Sequence, residues 1–340
     1  MRKQEGIFMK VTIKDVAREA KVATSTVSRV LANSSKISEE TKAKVNEAIK
    51  KLNYTPSIVA RGLANNKTRI LAVLLPGKAE SSFENPFFVQ AMKGISMQAE
   101  KENYYIMYSF KDEKDDEEEW VKRVTEGNLV DGLCLFNAKD NDVTINYLKE
   151  KNFPFVIIGR PEETSGVLWV DNDNFEAMYN LTQKLIDKGN EKIAFIGANK
   201  DINVSKDRLS GYKQALYSRN IEINESLIIE MNKFTEEEGY IAATNILAKE
   251  RVNAIVATDD LLGFGAQRAI EKFGYDDISI VGFNNIPLSH YKNPPLASVD
   301  INSEKLGRYA TKLIIDKLEN RKNKGYHVIE TKLIERESIK

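Results

Sequence analysis

One short stretch near the N-terminus places small hydroxyl groups and a guanidinium on a single helical face. The apolar residues of segment 24–31 recur at helical spacing on one side of this stretch. The opposite face carries Thr24, Ser25, Ser28 and Arg29. Short hydroxyls suit phosphate oxygens, and a guanidinium suits the acceptor edge of guanine in the major groove of DNA. The pattern therefore predicts a helix that contacts nucleic acid rather than a catalytic centre.

Groups that could perform catalysis are sparse in the rest of the sequence. The two histidines, His290 and His327, stand in no local ligand pattern, and the single cysteine, Cys134, lies in an apolar run typical of a buried strand. Gly263-Phe-Gly265 lacks the third glycine of a dinucleotide-binding loop. The sequence contains no phosphate-binding loop, nucleophile elbow or zinc motif. These observations argue against an enzyme and predict no metal and no other cofactor.

The hydroxyl-bearing helix needs neighbours to hold it, and the flanking sequence predicts two more helices. The apolar stripe of the preceding helix consists of Ile13, Val16, Ala17 and Ala20. The stripe of the following helix consists of Val45, Ala48, Ile49 and Leu52. Thr12 and Ser38 are placed to cap these two helices. Two short helices joined by a tight turn and followed by a third predict a helix-turn-helix module.

Charge is divided unevenly along the chain. The 50 basic and 50 acidic side chains cancel, and a zero balance usually argues against a nucleic-acid partner. Residues 1–69 nevertheless carry a net charge of +9, and residues 70–340 carry −9. An unstructured basic arm would give the same count, but the helical patterns of the first segment favour an ordered basic module.

Length and composition limit the class of protein. A chain of 340 residues fits two or three domains. No apolar run approaches about 18 residues, and the N-terminus has no secretory signal pattern. Since one cysteine suits a reducing compartment, we expect a cytoplasmic protein with no membrane span.

From Ile70 onward, short apolar runs alternate with helical patterns. The predicted strands are Ile70–Leu75, Tyr104–Tyr108, Gly132–Phe136, Pro154–Ile158, Lys192–Ile196, Leu227–Ile229, Ala254–Ala257 and Ser279–Val281. The predicted helices are Phe87–Lys101, Phe175–Lys188, Arg208–Ser218, Glu236–Lys249, Leu261–Phe273 and Glu304–Asn320. This alternation predicts an α/β core of two doubly wound lobes, with a ligand site in the cleft at the carboxyl ends of the strands.

The N-terminal strings VTIKDVAREAKVATSTVSRVL and KLNYTPSIVARGLANNKT resemble the DNA-binding headpiece of the lac/galactose repressor family of bacterial transcription regulators. The DNA-binding residues that this resemblance implies are Thr12, Thr24, Ser25, Thr26, Ser28, Arg29, Tyr54 and Leu63. Among them, Thr24, Ser25 and Arg29 are expected to read bases. Thr12, Thr26 and Ser28 are expected to contact backbone phosphates.

The turn of the module departs from the family pattern. Family members usually read Ala-Gly-Val-Ser where this chain has Ala20-Lys-Val-Ala23. Lys21 carries a steric cost if the turn needs a positive φ. Ala23 removes the usual helix cap, a role for which Thr24 is a candidate.

A hinge segment is expected to follow the headpiece. The resemblance implies that residues 57–64 fold into a helix on operator binding, that a linker to residue 68 follows, and that Leu63 wedges into the minor groove. A plain helical linker is the alternative. The predicted organisation is therefore a headpiece at 1–56, a hinge at 57–68 and a two-lobed core at 69–340.

The core also resembles that family, whose effector domain is related to periplasmic sugar-binding proteins. The matching strings are NPFFVQAMKGI, VDNDN, RLSGY, TDDLLGFGA, DISIVGFNN and NPPLASVD. The implied effector-binding residues are Asn85, Phe87, Phe88, Asp173, Arg208, Phe234, Asp259 and Asn284. Planar polar groups suit vicinal hydroxyls, and aromatic rings suit the C–H face of a sugar.

Some of these residues have simpler explanations. Arg208 could form a surface ion pair, Asp259 could merely cap a helix, and Phe87 could be core packing. Asn284 stands where the family usually has aspartate, which favours a neutral polyol over a cationic or purine ligand.

The sequence as a whole is interpreted as a homodimeric, operator-binding regulator of transcription that recognises pseudo-palindromic double-stranded DNA. A small-molecule sugar effector is expected to release it. The motifs are most similar to those of maltose-operon repressors, so an α-glucoside is the first hypothesis for the effector. The alternatives are a regulator that acts with a corepressor or a phosphocarrier protein, and a sugar receptor with no DNA role.

Overall fold

The computed structural model describes residues 11–31, 34–55, 67–77, 79–111, 114, 116–136 and 138–340. The chain divides into two compact units that meet between Thr68 and Arg69. Leu63 and most of the predicted hinge segment lie outside the described residues. In the part of the chain that is described, no helix has the length and apolar character needed to cross a membrane.

The described residues of the first unit contain three helices. They are α1 (Ile13–Glu19), α2 (Thr24–Leu31) and α3 (Glu39–Lys51). The Asp15 carboxylate accepts a hydrogen bond from the backbone N–H of Thr12 at 3.0 Å, and Ser38 caps α3 by accepting from the Thr41 N–H at 3.3 Å. The buried side chains between the helices are Val16, Ala17, Val27, Val30, Val45 and Ala48. The predicted helix-turn-helix is confirmed.

The turn between α1 and α2 is strained. Lys21 has a φ of 56°. This left-handed conformation raises the conformational energy of any residue that has a Cβ atom. The Ala23 carbonyl accepts from the N–H groups of Thr26 and Val27, so Ala23 is the cap position of α2. Thr24 is therefore the first helical residue rather than the cap, and alanine at the cap position offers no side-chain oxygen to the free amides of this helix end.

We expect Lys21→Gly to stabilise the headpiece by roughly 1 kcal/mol, because glycine adopts a positive φ without a Cβ clash. Amide hydrogen exchange of Val27 and Val45 in the full-length chain measures this local stability. Asn53→Gly is the matched control: Asn53 has a φ of 49°, but asparagine tolerates this region, so little change is expected. If the two variants increased the protection of these amides against hydrogen exchange equally, the interpretation that Lys21 is strained would be wrong.

The second unit contains two six-stranded sheets, one in each lobe. The strands of lobe 1 are β1 (Ile70–Leu75), β2 (Tyr105–Phe110), β3 (Gly132–Phe136), β4 (Phe155–Ile158) and β5 (Leu168–Asn172). Those of lobe 2 are β6 (Ile193–Ala198), β7 (Ile228–Met231), β8 (Ala254–Ala257), β9 (Ser279–Phe283) and β10 (Ala297–Asp300). The last two strands are β11 (Tyr326–Ile329), which joins the lobe 1 sheet, and β12 (Lys332–Ile334), which joins the lobe 2 sheet.

The strand order is β11-β5-β4-β3-β1-β2 in lobe 1 and β12-β10-β9-β8-β6-β7 in lobe 2. Every pairing is parallel except β10 with β12. The central strands are buried almost throughout, as expected for parallel strands covered by helices on both faces. The predicted doubly wound α/β core is confirmed. Three of the eight predicted strands have the predicted bounds, and the ends of the other five shift by one or two residues. The strands β5, β10, β11 and β12 were not predicted.

Helices cover both sheets. In lobe 1 these are α4 (Ala79–Glu84), α5 (Pro86–Lys101), α6 (Glu117–Thr125) and α7 (Val143–Glu150). In lobe 2 they are α8 (Asn174–Asp187), α9 (Asn203–Ser218), α10 (Glu236–Leu247) and α11 (Asp260–Phe273). The last helix, α12 (Ser303–Leu318), packs in lobe 1. Single turns of 3₁₀ helix occur at Glu225–Leu227 and Pro287–His290.

The chain passes between the lobes three times: after β5, after β10 and after β11. After the second passage, α12 packs closely against α5 of lobe 1. A Cβ atom on Gly307 would lie 2.1 Å from the Ala91 carbonyl oxygen, and one on Gly94 would lie 1.9 Å from that of Glu304. Glycine at these two positions therefore permits the close approach that holds α12 in lobe 1.

Candidate functional site

The carboxyl ends of several strands bring polar side chains together around Arg208 of α9. Arg208 is 6% exposed, so it is buried and forms no surface ion pair. Its Nε–H group donates to Asn174 Oδ1 at 3.0 Å, and its Nη1–H group donates to the Thr258 carbonyl at 2.6 Å. The guanidinium carbon lies 4.2 Å from the ring centroid of Phe283, which supports one face of the cation. The orientation of the Arg208 guanidinium is therefore fixed by groups at or just after the ends of β5, β8 and β9.

Buried carboxylates surround this cation. Burial lowers the pKa of Arg208 to about 10, and the nearby charges of Asp171 and Asp259 oppose that shift. Burial likewise raises the pKa of Asp171 to about 6 and that of Asp259 to about 6. Asp171 accepts hydrogen bonds from the backbone N–H of Asn172 at 2.8 Å and from the Asn174 amide at 3.0 Å. Asp171 and Asn174 thus form one unit beside Arg208.

Asp259 combines a structural role with a place beside Arg208. It caps α11 by accepting from the Leu261 N–H at 2.7 Å, and its other oxygen accepts from the Asn284 amide at 2.8 Å. Asn85 caps α5 of lobe 1 by accepting from the Phe87 N–H at 2.9 Å, and its side chain also lowers the pKa of Asp259 in lobe 2 by hydrogen bonding. These contacts bring Asn85, Asp259 and Asn284 together at the point where the two lobes meet.

The loop that carries Asn284 is held by Asp260. This buried carboxylate accepts from the Ile286 N–H at 2.7 Å, from Ser289 at 2.8 Å and from Ser298 at 2.6 Å. Asn284 itself has a φ of 98°, so its amide is presented from a constrained backbone. The loop geometry is therefore set before any ligand binds.

The predicted aromatic residues fall into two places. The rings of Phe87 and Phe88 have centroids 5.2 Å apart, and both pack against Phe136 at the end of β3, at 6.0 and 5.1 Å. All three are edge-on pairs in lobe 1, and Phe87 and Phe88 stay half-buried. Phe234 lies half-buried against the hydrophobic core of lobe 2. Phe87 therefore serves packing while keeping part of its surface exposed.

Asp173 lies at the exposed start of α8, and its charge contributes to raising the pKa of Asp207, the neighbour of Arg208. Its side chain is exposed and caps α8, accepting from the Glu176 N–H at 2.8 Å. Asp171 and Asn174 are two further residues beside Arg208 that the sequence did not single out. They belong to the same VDNDN string, but only the end of β5 decides which members point toward Arg208.

The arrangement favours binding over reaction. It offers a cation, carboxylates and amides, which match the donors and acceptors of a polyhydroxylated ligand. Two buried oxygens near these groups, Thr258 Oγ1 and Asn203 Oδ1, have no hydrogen-bond partner within the described residues. No cluster of three or more histidine, cysteine or acidic side chains suited to a metal ion occurs in that same part of the chain.

The buried carboxylates predict a pH dependence of core stability. Burial raises the folded-state pKa of Asp171 and Asp259 to about 6, and that of Asp260 to about 7, above the ordinary value of 3.8. Between pH 3.8 and these raised pKa values, the folded state therefore binds more protons than the unfolded chain. The free energy of unfolding then falls as the pH rises through about 4 to 7. We expect the core to unfold at a higher temperature at pH 5.5 than at pH 7.5. Asp259→Asn should weaken this dependence, and a core that is less stable at pH 5.5 would contradict the assignment.

The first unit presents the predicted DNA-contacting groups in different ways. Thr24, Ser25 and Arg29 are exposed on α2. Thr26 and Ser28 are half-buried on the same helix.

Two further predicted DNA-contacting residues have structural partners. The Thr12 hydroxyl donates to the Asp15 carboxylate at 2.7 Å at the start of α1. Tyr54 is half-buried against the headpiece core.

Two family models match the chain. Residues 12–57 match the model of bacterial regulatory proteins, lacI family, and residues 182–339 match that of a periplasmic binding protein-like domain. The HTH-type transcriptional regulator MalR of Streptococcus pneumoniae is 36% identical over 319 residues, covering 93% of this chain and 95% of that protein.

Solved structures show the same similarity. The transcriptional regulator CelR in complex with cellobiose has a TM-score of 0.74 and 29% identity, covering 97% of this chain and 100% of that one. A Staphylococcus aureus protein described as the probable maltose operon transcriptional repressor malR has a TM-score of 0.72 and 25% identity, covering 80% of this chain and 98% of that one.

Proposed function

The chain belongs to the LacI family of bacterial regulatory proteins, and from this membership we propose that it represses a sugar-utilisation operon and leaves its operator when a sugar binds in the cleft. It is a helix-turn-helix transcriptional regulator, and its family consists of regulators rather than enzymes. Family relatives act on DNA through the headpiece and bind sugars, as the CelR-cellobiose complex illustrates. The proposal concerns what the cleft binds and which residues carry each role.

The observation that carries the proposal is the buried polar site between the lobes. Arg208 is held by Asn174 and by the Thr258 carbonyl, while Asn85 of lobe 1 reaches Asp259 of lobe 2. A ligand in this position would touch both lobes at once. Its binding energy could therefore favour one lobe arrangement over another, which is the condition for a ligand to shift a conformational equilibrium.

A neutral sugar suits the charges of this site better than a phosphorylated one. The carboxylates of Asp171, Asp207 and Asp259 act on the single buried cation Arg208, so an added phosphate would meet net negative charge. The half-buried rings of Phe87, Phe88 and Phe234 offer apolar surface for the C–H face of a sugar ring. The names of two relatives, MalR and a maltose operon repressor, support an α-glucoside as the effector.

On the DNA side, we assign base reading to Thr24, Ser25 and Arg29, since their side chains are exposed on α2. Thr12, Thr26, Ser28 and Tyr54 are assigned to phosphate and positioning contacts, and Leu63 to a minor-groove wedge. A homodimer would present two headpieces to a pseudo-palindromic operator in the cytoplasm. Each chain contributes the net charge of +9 of residues 1–69, so affinity should fall steeply with salt.

Two measurements test the proposal. Deleting residues 1–68 should abolish operator binding and leave sugar affinity intact, because the two compact units meet at that position. Calorimetric titration with maltose, sucrose, galactose, ribose and glucose 6-phosphate identifies the ligand class. We expect maltose to bind and the phosphate ester to fail, and no binding by any sugar would overturn the sugar hypothesis.

A sugar that tightens operator binding would point to the corepressor alternative. Operator binding that persists after the deletion would contradict the assignment of DNA recognition to the headpiece.

A further inference from the structure

A single buried side chain touches all three passages of the chain between the lobes. Asn172 ends β5 at the first passage and is 6% exposed. Its Nδ2 group donates to the Ile301 carbonyl at 3.0 Å, in the second passage, and to the Ile329 carbonyl at 2.8 Å, in the third. One amide therefore satisfies two buried carbonyl groups that belong to different crossings, and it ties these crossings to its own.

A second asparagine joins the last two crossings. Asn302 has a φ of 54°, and its Nδ2 group donates to the Glu330 carbonyl at 3.0 Å. Its backbone N–H donates to Asp300 at 2.8 Å. Sheet pairing also reaches these passages, since β5 pairs with β11 up to Asn172 and Ile329, and β10 pairs with β12 up to Asp300 and Lys332. The side-chain amides add to these ladders, and the buried Asn172 amide ties the second passage to the first and the third.

The same segment also reaches the cleft. The Asn172 backbone N–H donates to Asp171 at 2.8 Å, and the Asn174 amide donates to the same carboxylate oxygen at 3.0 Å. Asn174 in turn accepts from Arg208 at 3.0 Å. Within residues 171–174, the side chains of Asp171 and Asn174 face the Arg208 site, and that of Asn172 faces the interlobe crossings.

We infer that Asn172 is a positioning residue that makes the three crossings bend as one hinge, so that the lobes move along a single path. Three independent crossings would each flex at their own dihedral angles, and the lobes would then adopt many relative orientations. A buried amide that ties all three removes these alternatives, because separating any crossing leaves a buried carbonyl without a partner. The hinge is linked to Arg208 through Asp171 and Asn174.

The test measures the distance between the lobes without any ligand. Spin labels are placed on cysteines substituted for two exposed residues, Lys149 of lobe 1 and Tyr217 of lobe 2, in the full-length chain. Cys134 is fully buried, so it does not compete for the label. Labelled chain is diluted into unlabelled chain, so that each measured pair lies within one copy. The parent protein should give one narrow distance distribution by pulsed electron paramagnetic resonance.

Asn172→Ala should broaden this distribution and destroy its single peak. Asn190→Ala is the matched control: Asn190 is 8% exposed, and its amide donates to the Leu185 carbonyl at 2.9 Å within lobe 2, away from the crossings. Both variants should lose a similar amount of thermal stability, but the control should keep the narrow peak. Equal widths in the two variants would show that Asn172 is merely structural and overturn the proposal.

Asn302→Gly is the second variant to be measured, and it tests the same hinge if Asn172→Ala fails to fold. Glycine preserves the positive φ and removes only the amide that joins the second and third crossings. We expect this variant to broaden the distribution less than Asn172→Ala, and an unchanged width would overturn the hinge assignment. Because no effector is used, failure of this experiment is distinct from failure of the sugar hypothesis.

Discussion

Replacing Arg208 with alanine should abolish the sugar response of operator binding and lower the free energy of unfolding of the core by about 3–5 kcal/mol. The guanidinium is buried, is bonded to Asn174 and Thr258, and offsets the charges of Asp171 and Asp259. Its removal leaves buried carboxylates without a nearby cation, which raises their pKa further and favours their protonation. The ligand also loses the cation in the cleft.

Chemical denaturation and calorimetric sugar titration measure these two effects. Arg251→Ala is the control, since Arg251 pairs with Asp277 on the surface at 2.7 Å with both side chains about 60% exposed. An exposed pair of this kind contributes roughly 0–1 kcal/mol, so the control should change neither stability nor sugar affinity appreciably. If Arg208→Ala behaved like Arg251→Ala, the central role of Arg208 would be wrong.

Replacing Arg29 with alanine should reduce operator affinity by roughly 5- to 150-fold, because a bidentate contact to guanine contributes about 1–3 kcal/mol. Arg29 is exposed near the end of α2, on the face that carries Thr24 and Ser25. A base contact is specific, so binding to an unrelated duplex should fall much less.

Fluorescence anisotropy with operator and unrelated duplexes at one salt concentration measures this difference. Lys44→Ala removes the same charge from α3, where Lys44 is exposed and paired with Glu40, and it should affect both duplexes slightly and equally. Equal losses on the two duplexes for Arg29→Ala would place Arg29 on the phosphate backbone instead of a base.

The fold could be predicted from the sequence where a continuous apolar run forms a strand that is buried over its whole length. The runs Ile70–Leu75 and Gly132–Phe136 are almost fully buried, so their apolar composition identified them as strands. The strands β11 and β12 were missed because they have only four and three residues and are partly exposed at sheet edges. These segments become strands because they pair with segments that are distant in the sequence. Their own residues show no periodic pattern that would predict a strand.

The candidate site shows the same limit. Arg208 and Asp259 could be identified from short strings, but their partners depend on where each strand ends. The resemblance implied Asp173 of the VDNDN string, and it did not indicate that Asp171 and Asn174 lie beside Arg208, because that depends on where the unpredicted strand β5 ends. Asn172 contacts carbonyls 129 and 157 residues away, and such contacts arise only from the three passages between the lobes.

The most direct test of the proposed mechanism is a titration of the full-length chain on its operator with the sugar that binds in calorimetry. We predict that saturating sugar raises the operator Kd by about 5- to 150-fold, and that operator DNA weakens sugar binding by the same factor. A Kd that stays unchanged or falls when the cleft is saturated would contradict release of the operator by the sugar.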